Sequence, residues 1–394
     1  MSLDFDSARL TNPYLTPEHE EWRSQLRRFF DREIMPFAAE WDEAGKIPNE
    51  LWPKAAEVGM LGLGYPEEFG GISEGIDVWY HNILNEEFAR TSVGGLIPTL
   101  MVHGIGLPPV VGFASDEIKQ QVVPAVLDGS KRISLGITEP SGGSDVANLQ
   151  TTAKRVTENG EDYYLVNGSK TFISGGMHAN WTTTAVRTGG AGAGGVSVLL
   201  IPMDLEGVSR TALARKQGWW GSDTATIYFD NVKVPVGNLI GKENRGFKVI
   251  MNNFNSERMM LCVGMEGSAR VCLEEAVNWA QERKTFGKRL ADHQVIRHKI
   301  AAMKQRINAC QTYINHCSQE IAAGKPNAGD IAMLKVQCSQ TMEYCAREAS
   351  QILGGASYLR DNRVERIYRE VRVNAIGGGS EEIMHDLASR EYGV

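Results

Sequence analysis

The sequence predicts a mostly α chain with a central antiparallel β domain. Three observations carry this: helical spacing of apolar residues in the first third, short alternating runs in the middle, and long helical periodicity after Gly241. In the first third, Thr16 reads as an N-cap and Pro17 as a first-turn residue. Trp22, Leu26, Phe29 and Phe30 then share one apolar face, and Pro36 kinks or ends that helix. Apolar stripes and Gly/Pro joints such as GYPEEFGG and GIGLPP alternate from Leu51 to about Leu127. From Lys131 the runs RISLGI, TTAKRV, DYYLV, KTFIS, TTTAV, VSVLLI, TATIYF and VKVPV read as strands. Asn159-Gly160 and Asn167-Gly168 are dipeptides that hairpin turns favour, so antiparallel pairing is expected. The glycine-rich 189–195 lies between strands, where a dinucleotide loop must run from strand into helix, so it reads as a hairpin loop. Helices are expected at about 246–283, 293–323, 328–352, 363–373 and 380–390, a bundle-like pattern. Three regions follow: a helical domain at 1–130, a β domain at 131–240 and a helical bundle at 241–394.

Composition excludes several classes. The 394 residues carry a formal net charge of -7, which argues against a nucleic-acid partner because phosphate binding needs a basic face. No run of about 18 apolar residues occurs, and the opening MSLDFDSARLTNPYL is polar and acidic, so no membrane span or leader is expected and a cytoplasmic location is. The six cysteines fall in the C-terminal third without a CxxC pair, which is not a metal pattern. Cys310 and Cys317, like Cys338 and Cys345, stand seven apart and read as buried free thiols on helix faces.

Two stretches carry chemistry. LGITEPSGGSD at 135–145 ends a strand in a Pro- and Gly-rich turn with free hydroxyls and N–H groups, suited to wrapping a planar cofactor. Phe172 in NGSKTFISGG offers an aromatic face beside Ser174. Taken separately, each reads equally well as an ordinary sheet-edge turn. Together they resemble the flavin strands of the acyl-CoA dehydrogenase family, with the usual forms TEPxAGSD and NGxKxWITN; Gly142 replaces the customary alanine and Phe172 the tryptophan. RKTFGKRLADHQVI at 283–296, QILGGASYLRDNRVERIYREVR at 351–372 and IGGGSEEIMHDLASRE at 376–391 resemble further motifs of the same family in the same order.

The resemblance implies an FAD enzyme with an N-terminal helical domain, a middle β-barrel or sheet domain and a C-terminal four-helix bundle. It places Leu135, Ile137, Thr138, Gly143, Ser144, Phe172, Ile173 and Ser174 on the flavin. Arg283, Thr285, Phe286, Gln294, Gln351, Gly354 and Gly355 serve the adenine and pyrophosphate half, where glycines admit close backbone approach. Ser380 and Glu382 belong to the same cofactor edge. In the family the Arg283 and Gln351 sets reach the flavin of a neighbouring subunit, implying a homotetramer built as a dimer of dimers. The arginines 360, 363, 366, 369 and 372 read instead as a charged helix face paired with Glu365 and Glu370.

The family's reaction removes a proton from Cα and a hydride from Cβ of an acyl thioester, giving the trans-2-enoyl-CoA. It needs a carboxylate base, flavin N5 as hydride acceptor and donors for the thioester oxygen. Many relatives supply the base from a YEGT motif, but Gly378 stands at that glutamate position here. Glu257 in FNSERMML matches the base position of isovaleryl-CoA and some long-chain dehydrogenases, and IGGGSEE resembles the IGAGTSE of the isovaleryl enzymes. Glu257 is therefore the expected base, in an apolar pocket that raises its pKa; a helix-surface glutamate is the plainer alternative, and Glu381 and Glu382 are other candidates. Ser144, Asn255, Arg258, Gly377 and Gly378 are expected at the substrate, and no metal ligands are.

Glycines at 377 and 378 suggest room for a branch near Cβ, as in an isovaleryl or citronellyl chain. The resemblance implies electron-transfer flavoprotein as acceptor. A flavin oxidase or monooxygenase on the same scaffold is the enzymatic rival. A non-catalytic, DNA-binding flavin relative is the other, and it expects a basic extension that this acidic chain, ending SREYGV, does not carry.

Overall fold

A computed structural model describes residues 2–394, except the side chains of Asn252 and Asn253. The first helical region comprises α1 (Pro17–Glu33), α2 (Ala38–Ala44), α3 (Leu51–Glu57), α4 (Val78–Arg90), α5 (Leu96–Leu100), α6 (His103–Gly106), α7 (Pro108–Phe113) and α8 (Asp116–Leu127). The α1 helix starts where the sequence places it: the Thr16 hydroxyl accepts the His19 N–H, and Trp22, Leu26, Phe29 and Phe30 are all buried. It ends at Glu33, before Pro36.

The middle region holds β1 (Ile133–Gly136), β2 (Thr152–Glu158), β3 (Glu161–Ser174), β4 (Trp181–Arg187), β5 (Val196–Pro202), β6 (Val208–Ala212), β7 (Thr224–Pro235) and β8 (Leu239–Ile240) in one sheet. Their order is β6-β7-β3-β2-β4-β5-β8, with β1 on β4. Two expectations change. The sheet is mixed rather than wholly antiparallel, because β1 runs parallel to β4. Asn159-Gly160 does turn β2 into β3, both residues at positive φ, but Asn167-Gly168 lies inside one long strand. DYYLV and KTFIS therefore share β3, which bends at Gly168: a Cβ there would stand 2.7 Å from Thr151 Cα, so only glycine allows the approach. The glycine-rich 189–195 joins the antiparallel pair β4 and β5.

The third region holds α9 (Gly246–Glu282), a small hairpin of β9 (Lys284–Thr285) and β10 (Lys288–Arg289), α10 (Gln294–Ala322), α11 (Ala328–Leu353), α12 (Arg363–Ile376) and α13 (Glu381–Glu391). All six cysteines are buried free thiols among these helices. Cys262 meets Cys338, and Cys272 lies near Cys345, so α9 and α11 run in the same direction.

The arginine row pairs with Glu365 as expected but not with Glu370, and it also ties α12 to α9, to α11 and to the first helical region. Arg369 bridges Glu365 at 2.9 Å and Asp42 at 2.6 Å, Arg363 reaches Glu274 and Glu275, and Arg360 reaches Glu43. Glu370 pairs with none of them in a salt bridge. It is buried and accepts the N–H groups of Gly94 at 3.0 Å and Trp219 at 3.3 Å, joining all three regions. Among the described residues no helix is long and apolar enough to cross a membrane.

Candidate active site

The site begins with a bulge. Lys170 pairs with Ile227 and Ile173 with Ala225, so Thr171 and Phe172 together oppose Thr226. Two residues against one force Phe172 into the left-handed region at φ 58, and its ring stands out of the sheet, 70% exposed. Ile173 points the other way into the sheet core at 2% exposure, so only its backbone can face a ligand.

The facing turn is locked from beneath. Lys170 Nζ donates to Glu139 Oε1 at 2.7 Å and to the Ile137 carbonyl at 3.1 Å, with both side chains buried. Glu139 also accepts the N–H groups of Gln150 and Thr151, and Thr171 N–H reaches the Thr138 carbonyl at 2.9 Å. These bonds hold β1, the 139–142 turn and β3 as one rigid edge. Gly143 and Ser144 are exposed, Leu135, Ile137, Thr138 and Ser174 half-buried. No acceptor within the described chain meets the Thr138 N–H. An exposed aromatic ring at Phe172, next to the strand residue that bonds Thr138, together with the open Thr138 N–H, fits a planar, hydrogen-bonding ring system such as a flavin.

The second wall comes from α9 and the turn between α12 and α13. Arg258 Nε–H donates to the Gly378 carbonyl at 3.3 Å and Nη1 to Asn255 Oδ1 at 3.2 Å, while its guanidinium packs over Phe254. The structure thus brings Asn255, Arg258 and Gly378 together. It also buries Arg258 to 8% exposure, with both bonds inside the chain. Gly378 and Gly379 adopt φ 69 and 109, conformations that favour glycine. A Cβ on Gly378 would stand 2.6 Å from Leu261 Cδ1, so the room expected from that glycine is already filled by leucine. At Gly377 a Cβ would meet only the Val373 carbonyl at 3.2 Å. The N–H groups of Gly378 and Gly379 have no acceptor among the described residues.

Glu257 sits one residue before Arg258 and is half-buried. No hydrogen-bond or ion-pair partner meets its carboxylate among the described residues. Burial pushes its pKa up to about 7, against a smaller opposing pull from Arg258. Glu381 accepts from Ser339 at 2.6 Å, which occupies it elsewhere, and Glu382 is exposed at the start of α13 with its pKa held low by the helix end and Ser380. Ser380 itself caps α13 through Ile383 N–H.

The remaining expected residues lie at the other end of the bundle. Phe286 and Gly287 form the β9–β10 turn at positive φ, and Phe286 is 96% exposed. Arg283, Gln294, Gln351, Gly354 and Gly355 are exposed and Thr285 half-buried. Because α11 parallels α9, Gln351 and Arg283 share that end. Glu257 and Arg283 are 26 positions apart on one helix and its cap, roughly 39 Å at the helical rise. Arg283 and Gln351 therefore lie at the end of α9 and α11 far from Glu257.

Sequence reasoning missed the pairing of Lys170 with Glu139, the place of Leu261 beside Gly378, and Lys335, a buried lysine whose Nζ donates to the Gly379 carbonyl at 2.7 Å. The available signal was a lone lysine inside the apolar run IAMLKVQC.

Family comparison agrees with this architecture. The N-terminal domain of acyl-CoA dehydrogenase matches residues 16–130, its middle domain 134–232 and its C-terminal domain 244–393. Acyl-CoA dehydrogenase AFT10-1 of Alternaria alternata is 36% identical, covering 94% of this chain and 90% of that one. The long-chain specific mitochondrial acyl-CoA dehydrogenase of Sus scrofa is 32% identical, covering 95% and 86%. A crystal structure of a probable acyl-CoA dehydrogenase from Mycobacterium abscessus matches with TM-score 0.92 and 41% identity, covering 96% and 99%. The chain belongs to the acyl-CoA dehydrogenase family. It is an oxidoreductase acting on acyl-CoA, and its cofactor is FAD, on which the family depends.

Proposed function

We propose that the chain dehydrogenates an acyl-CoA thioester between Cα and Cβ, with Glu257 as the base. The observation that supports this most is the Glu257 carboxylate itself: half-buried, without a partner among the described residues, with its pKa raised to about 7, on the turn of α9 that abuts Gly378. FAD, when bound, supplies the acceptor for the Cβ hydride. Glu257 takes the Cα proton. The Gly378 N–H, without an acceptor among the described residues, donates to the thioester oxygen as enolate charge develops there. Phe254 and Leu261 stand three before and four after Glu257 on α9, so they flank the base on the same face of the helix.

Phe172 and Thr138 with Leu135, Ile137, Gly143, Ser144 and the Ile173–Ser174 backbone would hold the flavin ring; Ser380 and Glu382 lie on its far edge. Arg283, Thr285, Phe286, Gln294, Gln351, Gly354 and Gly355 would hold the other half of an FAD bound mainly to a second copy. The roughly 39 Å between Glu257 and Arg283 supports that division and, with it, a homodimer assembled further into a tetramer. Ser144 and Asn255 are proposed at the CoA portion and electron-transfer flavoprotein as acceptor. Arg258, engaged by Gly378 and Asn255, acts by holding the turn.

The acyl chain follows an apolar face of α9. Glu257, Leu261 and Gly264 recur at helical spacing, and Gly264 faces Ile97 of α5. Because Leu261 fills the space beside Gly378, a branch near Cβ has to lie against Gly377 instead. Titration of the purified holoprotein with straight and β-branched acyl-CoAs under anaerobic conditions, followed by the visible flavin spectrum, tests the reaction and ranks the chains. A flavin that no acyl-CoA bleaches contradicts dehydrogenation. Rapid reoxidation in air with peroxide release after bleaching favours the oxidase instead.

A further inference from the structure

Three consecutive glycines, 377–379, form the turn that Arg258, the residue after Glu257, contacts through Gly378. Glycine has the largest backbone freedom to lose, and none of the three offers a side chain to anchor it. The turn is held by contacts to its backbone. Gly377 N–H bonds the Val373 carbonyl at 2.7 Å and ends α12. The next two carbonyls are each taken by a cation from a different helix: Gly378 by Arg258 of α9 at 3.3 Å, Gly379 by Lys335 of α11 at 2.7 Å.

Lys335 is an unusual anchor. Its side chain is wholly buried, and burying an ammonium is costly unless its charge is used. The only hydrogen-bond acceptor recorded for its Nζ among the described residues is the Gly379 carbonyl. Burial lowers its pKa to about 8, although Glu381 and Glu382 at the start of α13 favour the charge and Arg258 opposes it, so the group is still largely an ammonium at neutral pH. A neutral side chain would fill the same volume more cheaply if filling were its whole task.

We propose that Lys335 is a positioning residue for the dehydrogenation, holding with Arg258 the glycine turn in the conformation that presents the Gly378 N–H to the thioester oxygen. A trans peptide sets its C=O and N–H in opposite directions, so cations clamping two successive carbonyls fix the rotation of the peptides that follow Gly378 and Gly379. The Gly378 N–H lies in the peptide just before these, between them and the Gly377 N–H tied to the Val373 carbonyl, so the open donor is held by fixed neighbours on both sides rather than found by search. This rests on the dehydrogenase reading above.

The test uses acetoacetyl-CoA, which ionises to an enolate without being oxidised and then gives a long-wavelength charge-transfer band against oxidised flavin. Lys335→Met keeps the length of the side chain and removes the donor; Lys335→Gln keeps a neutral donor and serves if the methionine variant fails to fold. In the native holoprotein the band rises with pH at a definite midpoint. The inference expects Lys335→Met to move that midpoint up by about one unit, roughly tenfold less enolate at a given pH, and Lys335→Gln to move it less. FAD affinity and the melting temperature of the apoprotein should stay near native. Amide exchange of the apoprotein at Gly377, whose N–H is bonded to the Val373 carbonyl, should quicken in both variants. An unmoved midpoint overturns the inference, as does loss of FAD affinity and stability together with the band, which marks a merely structural lysine. A native holoprotein that gives no band overturns the dehydrogenase reading and the inference with it.

Discussion

Arg258 Nε–H donates to the carbonyl of Gly378 at 3.3 Å, so the residue after the proposed base grips the residue that stands where many relatives carry theirs. The two positions are adjacent in space, yet only one can hold a carboxylate. Gly378 has φ 69, and a Cβ there would lie 2.6 Å from Leu261 Cδ1. Gly378→Ala should cost about 1–3 kcal/mol, read by thermal or urea unfolding. Moving the base by combining Glu257→Gln with Gly378→Glu should not restore flavin reduction until Leu261→Ala is added. Restoration without that third change would show that Leu261 does not guard the position.

The Lys170–Glu139 pair fixes the turn under the flavin-facing edge. Removing one member of a buried pair strands the other, which costs about 3–5 kcal/mol. Lys170→Met should therefore lower stability by that order and weaken FAD binding, measured by melting and by flavin fluorescence titration. Native FAD affinity in a folded Lys170→Met protein would show that the edge is rigid without the pair.

The pH dependence follows from which form is active. Glu257 works as the anion, and its pKa is raised to about 7, so kcat/KM for an acyl-CoA should climb about tenfold per unit below pH 7 and level above it. A profile already flat at pH 5 would contradict that base. Stability runs the other way for the buried acid Glu370, whose pKa burial raises to about 8. Its neutral form is favoured in the folded chain, so its contribution is present below the ordinary carboxylate range and is lost as pH rises toward 8. Glu370→Gln should flatten that decline in melting temperature between pH 5 and 9; its carbonyl keeps one of the two N–H contacts, which Gly94 and Trp219 make to different oxygens of Glu370, so the melting temperature should be lower at every pH.

The division of the cofactor between copies has its own test. Glu257→Gln chains and Arg283→Ala chains should each be inactive alone. Refolded together in equal amounts they should recover about a quarter of native activity, because half the dimers are mixed and each mixed dimer has one site with both native residues. Absence of recovery, with mixed dimers shown by mass, would place both residues in separate functions.

Local signals carried much of this molecule. Thr16, Pro17 and the periodic apolar residues located α1, and the change from helical to alternating periodicity marked the sheet. Asn167-Gly168 misled because glycine serves a bulge and a turn by the same freedom, and only the Thr151 contact decides between them. The Phe172 and FNSER motifs pointed to the two walls of the site, but what holds those walls is nonlocal. Lys170 with Glu139, Lys335 with Gly379 and Glu370 with Gly94 are joined across 31, 44 and 276 positions, and no periodicity links residues so far apart. Glu370 was read as a surface partner for arginines because alternating charge looks the same on a solvated helix and on one wedged between domains.

The most direct test of the account is anaerobic mixing of the FAD-loaded Glu257→Gln protein with the acyl-CoA that the native protein oxidises fastest, watching the flavin absorbance. The account predicts that FAD stays bound, the thioester still perturbs the spectrum, and reduction slows by roughly 10²- to 10⁴-fold, the range a positioned base supplies. Bleaching at the native rate would contradict it and return the search for the base to the rest of the site.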